Sequence, residues 1–336
     1  MLNEFEPPSY DEWVAEAKRL LKGIPFEKKM FSKTVEGITL KPIYRKEDIS
    51  GLRHIHSPSG FPPYLRGNHA IYRDTHAWEI AQEINYPDLT AFNSALRHDL
   101  ERGLTAVTIP LDTAAKFGLD PENTQNLPAG DRGLSVFSLS EFEAALDGVD
   151  LSKFPLFIDC GISGLPFFGF YVKLAEKNGI KPDQLRGSIG VDPLGMLVSN
   201  GKLTVDIESL YDELADITKW ALENAPIIGT IRIHGESYNN GGANAVQELA
   251  YVMATAVEYM RTLEKRGIDP EKSVPHFRFS FGMGANFFME TAKLRAARLV
   301  WHKITEACGL PEEKRKIHIH ARTSNYTKTF YDPYVN

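Results

Sequence analysis

The sequence predicts an α/β protein, a (β/α)8 barrel of the TIM type that follows an extended N-terminal arm. Six short apolar segments recur from residue 104 onwards, and a longer segment of helical periodicity separates each from the next. This alternation is typical of βαβ units and a parallel sheet. The even spacing of the units favours a closed barrel over an open doubly wound sheet. No GxGxxG motif follows the first strand to support a dinucleotide-binding fold.

Composition limits the classes of partner. The chain has 336 residues, 43% of them hydrophobic, and a formal net charge of −6. That charge argues against nucleic acid or an anionic membrane as partner. No apolar run approaches the ~20 residues of a membrane-spanning helix, and the acidic start is unlike a secretory signal, so we expect a cytoplasmic protein. Cys160 and Cys308 lie in apolar surroundings, which predicts buried free thiols.

Residues 1–66 are predicted to form an arm rather than a domain. Ser9 and Glu12 have the spacing of a capping box, and apolar residues follow at helical period until Gly23. The stretch from 24 to 66 is irregular. One isolated helix cannot bury its own apolar face, so we expect the arm to wrap a larger body.

Three residues of that helix are candidates for contact with a partner protein: Tyr10, Trp13 and Leu20. Aromatic side chains that remain exposed on one protein often anchor it to another. Packing on the chain's own barrel is the alternative for the same three side chains.

The predicted barrel occupies residues 67–336. Its strands are predicted at 104–109, 156–159, 187–191, 227–233, 276–281 and 317–321. A further strand at 79–84 gives seven, one fewer than a closed barrel needs. An open barrel exposes two parallel edges, which proteins avoid. We therefore expect either a fragment truncated before the last strand or a gap closed by another chain or by a distorted element.

The helices between the strands are predicted at 88–102, 140–146, 165–178, 207–224, 243–266 and 287–308. Their starts follow capping rules: Ser140 with Glu143 has the spacing of a capping box, and Asn286 is a plausible N-cap. Phe287 and Leu294 are predicted to belong to the apolar stripe of the last helix.

Several segments resemble the methylmalonyl-CoA mutase family, from about Glu4 to the C terminus. They are PYLRG (63–67), Trp78 with Gln82, SGLPFFGFYVKLAEKNGIKPDQLRGSI (163–189), GGANAVQELAY (241–251), NFFMETAKLRAARLVW (286–301) and ARTSNYTKTFYDPYVN (321–336). The resemblance implies a barrel that threads an acyl-CoA ester along its axis. It also implies an adenosylcobalamin-dependent rearrangement that interconverts methylmalonyl-CoA and succinyl-CoA. In the family a separate domain holds the cobalamin through a histidine. Neither that domain nor its DxHxxG signature occurs in this sequence, so we expect this chain to bind no cofactor itself.

The resemblance also implies which residues would do the chemistry, and this chain departs from the catalytic pattern at six positions: Ala81, Glu83, Gly190, Asn200, Glu236 and Ser237. The first two replace the arginine and tyrosine of Thr-Ile-Arg-Gln-Tyr. The next two replace the glutamine of Gln-Asn-Asp and a carboxylate-binding arginine. The last two replace the tyrosine and histidine of Gly-Tyr-His. A dianionic CoA ester needs fixed cations, and each lost transition-state donor costs on the order of 10²–10³ in rate. We therefore expect no catalytic residues.

The arm and the altered positions together resemble the small, non-catalytic subunit of heterodimeric mutases, whose N-terminal arm embraces a catalytic large subunit. The predicted function is a barrel that stabilises such a partner. The alternative is an acyl-CoA mutase barrel of altered specificity, with the cobalamin domain on another chain. In that case the substrate would be bound by residues such as Arg278, Arg322, His234 or His320.

Two other sites are disfavoured by the sequence. His318, His320 and His234 fall at strand ends, yet no acidic residue at supporting spacing completes a metal site, so we expect no metal. Asp159, Asp192 and His234 also end strands, where barrel catalysis occurs, but no nucleophile–base pair is visible. A vestigial barrel mouth is the preferred interpretation.

Overall fold

A computed structural model describes residues 8–52, 55–70, 78–120, 122, 129–329 and 331–335. The chain divides into two compact units, Met1–His56 and Ser57–Asn336. The first seven residues of the predicted arm lie outside the described residues. Within the described residues, no helix is long and apolar enough to cross a membrane.

The first unit contains more regular structure than the single predicted helix. Its elements are α1 (Tyr10–Leu20), α2 (Phe26–Met30), β1 (Ser32–Lys33), β2 (Thr39–Leu40) and α3 (Lys46–Ile49). The predicted capping box is confirmed, since Ser9 Oγ accepts from the backbone of Glu12 and the Glu12 carboxylate accepts from Ser9 N–H. The prediction of an irregular stretch after one helix was wrong, because α2 and α3 follow it and β1 pairs with β2. Gly37, at φ 81°, permits the tight turn between these two strands.

The second unit confirms the predicted α/β class with a curled parallel sheet, compatible with a partial TIM-type barrel. Its strands pair in chain order: β3 (Val107–Pro110), β4 (Leu156–Asp159), β5 (Gly187–Val191), β6 (Gly229–His234), β7 (Phe277–Met283) and β8 (Ile319–Thr323). Segment 79–84, predicted as a further strand, is not one. Ile80 O accepts from both Thr105 N and Ala106 N, and Ile80 N donates to Thr105 Oγ1. Because the threonine side chain takes this donor, no regular ladder forms.

The helices of the second unit are α4 (Leu89–Glu101), α5 (Thr113–Lys116), α6 (Leu139–Ala145), α7 (Gly164–Lys177), α8 (Pro193–Asn200), α9 (Ile207–Asn224), α10 (Gly235–Asn240), α11 (Ala245–Lys265), α12 (Pro270–Ser273) and α13 (Phe287–Ala307). All six predicted helices are present. The capping box of α6 was misplaced by two residues, because Ser138 is the extended residue whose side chain accepts from Glu141 N. Short α5, α8 and α10 directly follow strands and were not predicted.

Strand alternation gives the sheet two different faces. On the convex face Phe277 and Phe279 pack on Trp301 of α13, with ring centroids 5.7 and 4.7 Å apart, and the helices cover the core there. The strand register places the opposite set of side chains on the concave face: Asp159, Gly190, Arg232, His234, Arg278, Ser280, His320 and Arg322. The candidate functional residues therefore share one surface.

Helix α13 is tied to the sheet by a buried lysine. Lys293 Nζ lies 2.6 Å from Glu248 Oε2 of α11 and donates to Gly282 O of β7 at 2.6 Å. Glu248 Oε1 accepts from Gly282 N at 2.7 Å. Asn286 caps α13 as predicted, by accepting from Met289 N. The segment 286–298 thus has a structural task, joining β7, α11 and α13.

Two predicted burials were wrong. Phe287 is 74% exposed, because the first turn of α13 projects beyond the end of β7 instead of packing on the sheet. Cys308 is exposed, since it is the C-cap residue of α13, whereas Cys160 in the turn after β4 is buried. Burial raises the pKa of the Cys160 thiol to about 12.

Candidate functional site

The carboxyl ends of the strands meet at one edge of the concave face. Asp159 ends β4, Asp192 follows β5, and His234 ends β6. His234 Nε2 lies 3.0 Å from Asp159 Oδ1, and its Nδ1 lies 2.8 Å from Asp192 Oδ2. Lys116 of α5 lies on the other oxygen of Asp159, at 2.6 Å. The predicted trio of Asp159, Asp192 and His234 is therefore brought together as a charged cluster.

The cluster holds His234 in its charged form. Burial and the charge of Arg232 oppose protonation, but the carboxylates of Asp159 and Asp192 outweigh them and raise the pKa of His234 to about 9. Burial likewise opposes ionisation of Asp159, but Lys116 and His234 hold its pKa well below the ordinary value. The histidine is therefore an imidazolium at neutral pH and cannot act as a general base there.

Asp192 also has a structural task. Its Oδ1 accepts from Gly195 N at 2.9 Å, which caps α8, and from Tyr259 OH at 2.5 Å. Its Oδ2 accepts from the backbone N–H of His234 at 2.8 Å. A carboxylate with this many donors joins β5, β6, α8 and α11, and it presents no free oxygen to a substrate.

A second ion pair closes over the end of β8. Arg322 Nε donates to Glu83 Oε1 at 2.6 Å and its Nη2 donates to Glu83 Oε2 at 2.7 Å. Burial opposes ionisation of Glu83, but the bidentate arginine lowers its pKa below the ordinary value. The same pairing raises the pKa of Arg322. Arg322, which was predicted as a possible substrate-binding residue, is thus already paired with a carboxylate of its own chain.

A hydrogen-bonded chain lies beside this pair. Ser280 Oγ on β7 donates to Glu236 Oε1, and His320 Nδ1 on β8 lies 2.7 Å from the same Ser280 Oγ. Arg232 Nη2 on β6 lies 3.5 Å from His320 Nδ1. Burial and the charge of Arg232 lower the pKa of His320 to about 4, so its imidazole is neutral at pH 7.

Other predicted site residues lie apart from this edge. Arg278 is at the amino end of β7, where it donates to the carbonyl oxygens of Pro275, Phe277 and Ile227, and burial lowers its pKa to about 10. Asn200 is exposed at the end of α8 and donates to Met196 O.

The three remaining altered positions are dispersed. Ala81 is exposed in the segment beside β3. Ser237 Oγ in α10 lies 2.8 Å from Ser199 Oγ of α8. Gly190 is buried on β5, and a Cβ atom at this position would lie 2.2 Å from Arg232 Cβ. The glycine is therefore required by the arginine on the neighbouring strand.

The three predicted partner-binding residues lie in the first unit. Tyr10 stacks on Trp13 with ring centroids 5.8 Å apart, and the Trp13 ring meets the edge of Phe26 at 5.9 Å. Arg45 lies over the Tyr10 ring. Leu20 is 65% exposed. The two aromatic residues therefore pack within this unit, and a role of all three at a partner surface stays a prediction.

Sequence reasoning missed Lys116, Arg232 and Ser280. The alternation of Arg232 with His234, and of Arg278 with Ser280, is a period-two signal that places them on the concave face. Lys116 had no such signal, because it reaches the site from a four-residue helix. Across the described part of the chain, no group of three His, Cys, Asp or Glu side chains is arranged to hold a metal ion.

Comparison of the sequence with known proteins identifies its family. A sequence model described as methylmalonyl-CoA mutase matches residues 33–336. The chain belongs to the methylmalonyl-CoA mutase family. It is 31% identical over 306 residues to the methylmalonyl-CoA mutase large subunit of Porphyromonas gingivalis, covering 90% of this chain and 43% of that protein. It is 30% identical to the Escherichia coli methylmalonyl-CoA mutase over 305 residues, covering 90% and 43%. With the human mitochondrial methylmalonyl-CoA mutase the identity is 28% over 334 residues, covering 98% and 44%.

The chain spans less than half the length of these mutases. The resemblance seen in the sequence segments is thus confirmed at the level of the family. Of the six positions that depart from the catalytic pattern, Glu83, Gly190 and Glu236 lie at the concave edge or contact its residues. Glu83 and Glu236 place two carboxylates there, and Gly190 has no side chain.

Proposed function

We propose that this chain is a small-subunit-like, non-catalytic component of a methylmalonyl-CoA mutase, which stabilises a catalytic large subunit. The enzyme it serves would interconvert methylmalonyl-CoA and succinyl-CoA. The proposal is supported most directly by the pairing of Arg322 with Glu83, because this contact neutralises the cation at the mouth of the sheet.

Charge neutralisation within the chain works against an anionic substrate. A free carboxylate or phosphate would have to displace Glu83 from a bidentate contact in which both side chains are less than 30% exposed. Charge-assisted bidentate contacts are among the stronger hydrogen bonds in proteins. The nearby Lys116 and His234 are likewise bound to Asp159. At Arg322, Lys116 and His234 an incoming anion therefore meets cations that are already paired.

His234 at the concave edge does not fit a cobalt ligand. A metal-binding histidine must be neutral and offer a ring nitrogen. His234 is protonated at neutral pH, and both of its nitrogens face carboxylates. We propose that adenosylcobalamin belongs to the partner in the assembled enzyme.

The first unit supports the partner role. Helix α1 buries no residue, and apolar side chains of the unit are exposed, among them Leu20 of α1 at 65% and Val35 at 84%. An apolar surface of this kind is typical of a segment that docks on another protein. The partner we propose is the catalytic large subunit.

A binding measurement between the chain and a large subunit tests the partner role directly. The chain would be mixed with the large subunit from the same source, and the affinity measured by calorimetry. We expect a stable complex that Leu20→Ser weakens at least tenfold, because an apolar interface side chain is lost. Lys18→Ser, on the same helix, is the matched control and should leave the affinity unchanged. Absence of a complex with the wild-type chain would contradict the proposal.

The alternative is an acyl-CoA mutase barrel of altered specificity that uses a cobalamin domain on another chain. It is favoured by the designation of the Porphyromonas gingivalis and Streptomyces virginiae relatives as large subunits. This function requires that the chain bind a CoA ester, whereas the non-catalytic role does not. Titration with CoA esters therefore separates the two.

A further inference from the structure

Arg232 is a largely buried cation that forms no ion pair with the part of the chain that the structure describes. Its side chain leaves β6 on the concave face, and the residue is only 7% exposed. Within the described residues its guanidinium has one hydrogen-bond contact, from Nη2 to His320 Nδ1 at 3.5 Å, which is longer than a normal hydrogen bond. Arginine carries five N–H donors. Leaving such donors without partners in a buried setting is costly, so this guanidinium is expected to bind an acceptor.

Glu236 is the complementary case. The residue is also only 7% exposed, and its Oε1 accepts from Ser280 Oγ. Its Oε2 is buried and has no hydrogen-bond donor among the described residues. A buried carboxylate oxygen is normally hydrogen-bonded. This atom is therefore expected to receive a donor.

The two unsatisfied groups belong to one connected cluster. Arg232 contacts His320, His320 contacts Ser280, and Ser280 contacts Glu236. Their charged neighbours are already occupied, because Arg322 pairs with Glu83 and His234 pairs with Asp159. Arg232 thus still has donors to offer an acceptor, and Glu236 still has an oxygen to offer a donor. Three successive contacts connect the two residues.

The cluster lies beside side chains on the concave face that are partly exposed to solvent. The side chains at its rim remain partly accessible: 27% for Asp159, 29% for Glu83 and 26% for Arg322. Gly190 makes room for Arg232 on this face, since any larger residue would collide with the arginine Cβ. The arginine therefore stands on the open side of the sheet and not among the helices.

We propose that this cluster binds a small carboxylic acid that also carries a hydroxyl or amino group. The carboxylate accepts from Arg232, which prefers bidentate contact with such groups. The hydroxyl or amino group donates to Glu236 Oε2. The site is independent of the subunit role, because it uses neither CoA nor the surface of α1.

The test compares two acids of similar size, L-lactate and propionate, by calorimetry and saturation-transfer NMR on the wild-type chain at pH 7. We expect saturable lactate binding, with propionate at least tenfold weaker because it offers no donor to Glu236. Glu236→Gln should reduce this preference, and Arg232→Gln should weaken lactate binding at least tenfold. Arg295→Gln, at an exposed arginine of α13, is the matched control and should bind lactate as the wild type does.

Three results would overturn the proposal: no saturable binding of lactate, equal binding of lactate and propionate, or unchanged binding by Arg232→Gln. If Arg232→Gln does not fold, as circular dichroism would show, the wild-type comparison and Glu236→Gln still decide. A failure here leaves the titration with CoA esters unaffected, so the two proposals can fail separately.

Discussion

Alkaline pH should weaken the folded state through His234. The carboxylates of Asp159 and Asp192 raise its pKa to about 9 against an ordinary 6.5, although burial and Arg232 oppose this. Because the folded pKa is the higher one, the charged histidine stabilises the fold. That stabilisation is fully present below pH 6.5 and is lost as the pH rises through 9.

The structure sets the size of the effect. The difference between the folded and ordinary pKa of His234 corresponds to about 3 kcal/mol of stabilisation, since one pKa unit is 1.36 kcal/mol. The unfolded histidine is already mostly neutral at pH 7, so about 2 kcal/mol should disappear between pH 7 and 9.5. The His234 side chain is 15% exposed, so solvent screens its contacts with Asp159 and Asp192 only weakly.

Urea denaturation at half-unit pH intervals measures this loss as a change in the free energy of unfolding. His234→Gln is the comparison, because it keeps the surrounding groups and removes the titration. The comparison also subtracts Cys160, whose raised pKa lowers stability in both proteins as the unfolded thiol ionises. The wild type should lose about 2 kcal/mol more than the variant over this range. Equal losses in the two proteins would refute the reasoning.

Three further changes address the packing of the sheet. Lys293→Met should lower the free energy of unfolding by about 3–5 kcal/mol, because a buried carboxylate loses its counter-ion; urea denaturation measures this. Gly190→Ala should cost about 1–3 kcal/mol, since the new Cβ would lie 2.2 Å from a side chain of β6. Gly169→Ala, with nothing within 4 Å, should be neutral or stabilising by up to about 1 kcal/mol in the same assay. Glu83→Gln should cost about 1–3 kcal/mol, and the double variant with Arg322→Gln should cost less than the sum of the two singles.

Periodicity predicted the long helices well. Helix α9 was predicted and found at Ile207–Asn224, and Asn286 caps α13 as expected. These elements depend on side-chain patterns within about twenty residues. The capping residue of α6 was harder, because Ser138 and Ser140 both precede an acidic residue by three positions. Only the extended backbone of Ser138 decides between them.

The failures arise from contacts distant in sequence. Segment 79–84 was predicted as a strand, but Thr105 takes the N–H of Ile80 with its side chain. The pairing of Glu83 with Arg322 joins residues 239 positions apart, which no local pattern predicts. The family resemblance identified Glu83 only as the residue that replaces a tyrosine of the catalytic pattern. In the fold, the Glu83 carboxylate pairs with Arg322.

The central claim is that this member of the methylmalonyl-CoA mutase family supports catalysis without binding substrate or cofactor. Calorimetric titration of the purified chain with adenosylcobalamin, methylmalonyl-CoA, succinyl-CoA and other acyl-CoA esters tests it most directly. We predict no binding heat with any of them, because Arg322, Lys116 and His234 at the edge of the concave face are already paired with carboxylates of the chain. Micromolar binding of even one CoA ester would contradict the claim and make Arg278 and Arg322 the next residues to replace.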